Sequence, residues 1–98
     1  MIDRLFGPRV TVAVSITGYI EGQRVRWSGS VRLRAPATVG DALRAAGKAA
    51  RVDLVRALER GEQPILLLDG MRLEAPLGLG QTLKEGMSLN WLQPMVGG

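Results

Sequence analysis

The chain contains neither cysteine nor histidine in its 98 residues. Without cysteine there is no disulfide, no thiol nucleophile and no thiolate metal site. Without histidine the usual general base and the commonest metal ligand are missing. A self-sufficient hydrolase, a zinc protein and a redox protein are therefore disfavoured, and no metal site is expected. If the chain takes part in chemistry, another protein is expected to supply the catalytic groups. Long apolar runs are also lacking. The longest, "PILLLD", is far too short to cross a bilayer. The opening "MIDRLFGPRV" has no apolar segment followed by a small-residue cleavage site. No secretory signal is read there, and the cytoplasm is the expected compartment. Lysine is scarce, with two against 11 arginines, and the net charge is +4.

What is present fits one small globular domain, with 46% hydrophobic and 22% charged residues. The stretch "VTVAVSITGY" alternates. Val10, Val12, Val14 and Ile16 share one side and Thr11, Ala13, Ser15 and Thr17 the other. Period two with β-branched residues predicts a strand with one buried face. After "EGQ" the stretch "RVRWSGSVRLR" alternates in the same way, with Val25, Trp27, Val31 and Leu33 in phase. The two read as an antiparallel hairpin over a core. Arg24, Arg26, Arg32 and Arg34 fall on its other face. They read as a solvated face; phosphate binding by nucleic acid is the alternative, but no exposed aromatic is interleaved with them.

The period then changes. Thr38 is a helix N-cap with Asp41 in a capping-box position, and Ala42, Leu43 and Ala46 recur at helical spacing. Gly47 is the expected stop. "RVDLVRALERG" predicts a second, short helix with Val52, Val55 and Leu58 on its main apolar stripe and Leu54 and Ala57 beside it. "ILLLDGMRL" reads as a strand, an Asp-Gly turn and a brief return strand. "EAPLGLGQTLKEG" is a glycine-rich loop, and "MSLNWL" is the last strand. Leu89 and Trp91 point one way there, and Leu92 falls on the polar side. The expected architecture is an α+β roll. A mixed sheet of four to five strands packs on one main helix plus a short second helix. Other motifs fail. "GDALRAAGK" has six residues between its glycines and no Ser or Thr after Lys48, so it is no phosphate-binding loop. The acidic residues show no catalytic spacing.

The ending is "QPMVGG". Two terminal glycines add nothing to a core, so their use must lie in what a tail does. The last 17 residues, "TLKEGMSLNWLQPMVGG", resemble the ubiquitin-like β-grasp sulfur carriers, which include the small subunit of molybdopterin synthase and the thiamine-pathway sulfur carrier. Leu83, Glu85, Gly86, Leu89, Trp91, Leu92, Pro94, Met95, Gly97 and Gly98 carry the likeness. "TVGDALRAAG" and "LLLDG" are similar to the family's first helix and its strand turn. Met87 stands where an acidic residue is usual, Gln93-Pro94 where a proline pair is usual, and the basic charge is atypical.

The resemblance implies a ubiquitin-like domain over residues 1–92 and a flexible tail over 93–98. It implies that Gly98 is adenylated from ATP by a partner activating enzyme and converted to a thiocarboxylate. It further implies sulfur donation to a large synthase subunit or another acceptor, as in molybdenum cofactor or thiamine biosynthesis. The chain itself would be no enzyme and would bind no cofactor. Residues 93–98 can extend about 20 Å at ~3.3–3.6 Å each, enough to enter a buried site. Gly97 and Gly98 suit a narrow channel, Pro94 stiffens the exit, and Met95 and Val96 are apolar anchors. Leu92 and Met71 are candidate docking residues. Two alternatives stay open: a protein modifier conjugated through Gly98, and a β-grasp binding module with a basic face.

Overall fold

A computed structural model describes residues 7–93 of the chain. The elements run β1 (Arg9–Ile20), β2 (Gln23–Arg34), α1 (Val39–Ala50), α2 (Leu54–Glu59), β3 (Ile65–Leu68), β4 (Met71–Leu73), a 3-10 turn (Leu77–Gly80) and β5 (Ser88–Leu92). The expected hairpin is present. Val12 pairs with Val31 and Ile16 with Trp27 in an antiparallel register. The five strands lie in the order β2-β1-β5-β3-β4. β5 runs parallel to β1 and antiparallel to β3, so the sheet is mixed and the last strand ends in its centre. The expected α+β roll is the observed architecture.

The alternation in the sequence becomes the two faces of this sheet. Val12, Val14 and Ile16 of β1, Leu66 and Leu68 of β3, and Leu89 and Trp91 of β5 are buried. Against them lie Ala42, Leu43 and Ala46 of α1 with Leu54 and Ala57 of α2. Fully burying one such large apolar side chain contributes roughly 1.5–3 kcal/mol. No polar or charged residue is buried among the described residues. The helix start follows the expected reciprocal cap. Asp41 N–H donates to Thr38 Oγ1 at 3.2 Å, and Thr38 N–H donates to Asp41 Oδ2 at 2.9 Å.

Two expectations need correction. Gly47 does not end α1, which continues to Ala50 and closes on Arg51 at φ 62°. Gly47 is instead a contact glycine, because a Cβ there would run into the Val52 carbonyl and sit 3.5 Å from Leu54 Cγ. The apolar stripe of α2 is also different. Asp53 is its N-cap and accepts the Arg56 N–H at 3.0 Å, which leaves Val52 outside the helix. The rotation this sets buries Leu54 and Ala57, and leaves Val52, Val55 and Leu58 only partly covered. The glycine-rich loop also contains one 3-10 turn, with Leu77 89% exposed.

Candidate functional site

The strand that leads to the tail is set from its start. Asp69 and Gly70 both have positive φ, 49° and 82°, the backbone a tight hairpin turn between β3 and β4 requires. The turn holds the Asp69 carboxylate against β5, where Oδ1 accepts the Ser88 N–H at 2.8 Å. The Asp69 N–H donates to the Ser88 carbonyl, also at 2.8 Å. The segment before β5 is tied to β1. Gly86 N–H donates to the Thr11 carbonyl at 2.9 Å, and Thr11 N–H donates to Glu85 Oε1 at 2.8 Å. Glu85 and Gly86 of the family-like ending therefore set the register of β5 on β1. Ala13 pairs with Ser88 and Thr17 with Leu92.

At the other end of β5 the chain is held beyond its last ladder residue. The Gln93 N–H donates to the Thr17 carbonyl at 2.9 Å. Gln93 Oε1 accepts the indole N–H of Trp91 at 3.1 Å. Gln93 Nε2 donates to Glu62 Oε2. The other oxygen of Glu62 accepts the Glu21 N–H at 3.1 Å, and Arg60 Nη1 lies 3.3 Å from Glu21 Oε2. Gly18 completes the arrangement. It is buried at φ 143°, and a Cβ there would stand 2.5 Å from both Cβ and the carbonyl oxygen of Gln93. Three elements thus converge on Gln93: the β1–β2 hairpin, the turn after α2, and β5 itself. The sequence reading counted Gln93 with the tail; its bonds join it to the body. Pro94, Met95, Val96, Gly97 and Gly98 lie outside the described residues.

Leu92 lies on the face of the sheet opposite the helices and is 39% exposed. Arg26, Thr17, Leu92 and Ile65 are neighbours in one row across β2, β1, β5 and β3. Tyr19, 45% exposed, lies one step further along β1 on the same face, opposite Arg24. The result is a small apolar patch with an arginine border, beside the point where the chain leaves the sheet. Met71 is not part of it. Met71 is 74% exposed, pairs with Leu68, and so falls on the helix-side parity, three β3 positions from Ile65. The two candidate docking residues are therefore separated.

The arginines foreseen on the hairpin face are there. Arg24, Arg26, Arg32 and Arg34 are exposed on the edge strand β2, where charge also discourages pairing with other sheets. Among the described residues no group of three or more Asp or Glu side chains is placed to hold a metal ion. No helix among them is long and apolar enough to cross a membrane.

A hairpin, a covering helix and a final strand inserted in the sheet centre define a ubiquitin-like β-grasp fold. The resemblance seen in the ending thus extends to the three-dimensional structure. In particular, the chain is similar to the crystal structure of SAMP1 from Haloferax volcanii, with a TM-score of 0.60 and 26% identity over 90% of this chain and 99% of that one. It is also similar in fold to the solution structure of the Haloferax volcanii HVO 2177 protein, with a TM-score of 0.64 and 24% identity over 92% of this chain and 88% of that one. No protein-family profile and no curated protein sequence matches the chain.

Proposed function

We propose that this chain is a sulfur carrier that works through the carboxyl group of Gly98. A C-terminal carboxylate, with a pKa of roughly 3.3–3.7, is ionised at neutral pH and is a poor electrophile. Activation by a partner enzyme overcomes this. A Gly98 carboxylate oxygen attacks the α-phosphorus of ATP, pyrophosphate leaves, and an acyl-adenylate forms. Hydrosulfide-level sulfur then adds to the carbonyl, AMP departs, and Gly98 carries a thiocarboxylate. A second partner takes that sulfur, on this reading in the assembly of a sulfur-containing cofactor. The body contributes presentation rather than catalysis, and ATP belongs to the activating enzyme.

The observation that carries the proposal is the position of β5. A β-grasp body delivers its last strand in the middle of the sheet, and the chain leaves there beside the exposed Leu92 patch, with "PMVGG" still to come. An apolar patch next to an extended segment suits a partner that grips the body and threads the tail. The similarity to SAMP1 over 90% of the chain supports the same reading.

The test is to incubate the chain with ATP, its cognate acyl-adenylating enzyme and sulfide, and to measure intact mass. Replacement of one oxygen by sulfur is the expected result, and it must disappear in a chain lacking Gly98. High-mass conjugates on lysine, without sulfur gain, would replace the carrier by a protein modifier. An unchanged mass together with salt-sensitive nucleic-acid binding would replace both by a binding module.

A further inference from the structure

We propose that Gln93 is a positioning residue whose bonded side chain fixes the point and direction from which residues 94–98 reach the activating enzyme. This rests on the reading of Gly98 as the activated end. Ladder bonds alone leave the last residues of a strand free to fray. Here the bonding continues past Leu92, the last residue of β5, to one residue bonded through its backbone N–H and both polar atoms of its side chain. Its backbone N–H is held by Thr17, its side-chain oxygen by Trp91 and its side-chain nitrogen by Glu62. Trp91 is fully buried, so its indole N–H is a fixed donor rather than a mobile one. Glu62 is fixed in turn, since its second oxygen accepts from the Glu21 backbone. Gly18 removes the one Cβ that would push Gln93 away.

Every polar atom of this side chain has a defined role. Gln93 must accept from an indole and donate to a carboxylate, and an amide does both at once through separate atoms without a change of protonation. An unanchored exit would let the tail sample many directions, and the partner would have to select the right one. A pre-set exit raises the productive fraction of encounters, so it acts on kcat/KM through another group and not on the chemistry at Gly98.

The bond pattern suggests its own test, an exchange of roles. Gln93→Glu sets two carboxylates against each other while still accepting from Trp91. Adding Glu62→Gln restores the pair, because the new amide nitrogen donates to the carboxylate at 93 and its oxygen still accepts from Glu21. Two quantities are measured in each variant: amide hydrogen exchange at position 93, and kcat/KM for ATP–pyrophosphate exchange with the cognate acyl-adenylating enzyme. Urea midpoints confirm that all variants fold. In Gln93→Glu, exchange protection at residue 93 falls at least about tenfold. Activation falls by about tenfold, chiefly in KM. The double variant recovers both.

Loss of protection without loss of activation overturns the proposal, and so does a double variant no better than the single one. Failure of the unaltered chain to be activated overturns the reading of Gly98, and the positioning role with it. The exchange measurement still reports the bonds at Gln93 in that case, so the two failures are told apart.

Discussion

At its start β5 is held by turns in the neighbouring backbone, and at its finish by contacts from the β1–β2 hairpin, the turn after α2 and its own Trp91. The start uses Asp69-Gly70 and Glu85-Gly86, short local motifs whose backbone shape places one carboxylate each on a strand N–H. The finish uses Gly18, Glu62 and Trp91, which lie 75, 31 and two residues from Gln93 in the chain. On the proposed function, the difference is one of purpose. A strand start needs only register, and local turns set register. A strand end that presents a tail needs direction as well, which only contacts from several sides define. Carboxylates serve both ends, but at the start they cap backbone and at the finish one of them orients a side chain.

The largest test removes what both ends share. Trp91 is fully buried on β5, next to its last residue, and its indole N–H reaches Gln93. Trp91→Ala should lose about 3–5 kcal/mol of stability through the transfer and cavity terms. Urea unfolding followed by circular dichroism measures it. A loss under about 1 kcal/mol would mean that the two ends stand without the strand's largest buried side chain, and the comparison would have no basis.

A smaller effect separates the ends. Asp69→Ala removes the carboxylate that accepts the Ser88 N–H and puts alanine at φ 49°. It should cost about 1–2 kcal/mol, from the lost bond and the left-handed backbone together. The rate of activation at the far end should stay at the unaltered value. Slower activation in Asp69→Ala, with the fold intact, would show that the start of β5 also sets the exit.

How much of this was legible in the sequence follows the same division. The hairpin, the capped helix and the Asp-Gly turn were readable, because alternation and capping are properties of neighbours in the chain. The core face of β1 and β5 was readable too, for the same reason. Gly47 was misread as a stop, since only the folded chain brings the Val52 carbonyl over it. The face of α2 was misread because the position of the Asp53 cap fixes the helix phase, and a stripe counted from Val52 starts two residues before Leu54, the first helical residue. The arrangement around Gln93 was invisible. A glycine inside a strand at position 18 was its one local trace, a sign of close backbone approach. Nothing local links it to Glu62.

Beyond stability, the exposed side of the exit can be tested on partner binding. Leu92 borders the exit and Met71 does not, so the same substitution at each sharpens the contrast between regions. Threonine supplies the β-branched character that strands favour. Leu92→Thr should weaken the complex with the activating enzyme about tenfold, or roughly 1.4 kcal/mol. Met71→Thr should leave it unchanged, and both should fold within about 0.5 kcal/mol of the unaltered chain. Titration calorimetry compares them. Equal weakening by the two would place the partner around the sheet edge instead of on the outer face.

The smallest effect probes how far the network around the exit extends. Arg60 and Glu21 form an ion pair at 3.3 Å, with side chains 56% and 28% exposed. Glu21 is bonded to Glu62 through its backbone, not through the carboxylate that meets Arg60. The pair is therefore an outer neighbour of the exit rather than one of its supports. Solvent screens it, and exposed pairs contribute about 0.2–1 kcal/mol. Arg60→Ala should lose no more than about 0.5 kcal/mol, and the difference should vanish in molar salt, where screening acts within ~3 Å. Amide exchange at Gln93 should not change. A loss of protection there would mean that Arg60 holds the hairpin end in place for Glu62, and the group of residues that aims the tail would have to include it.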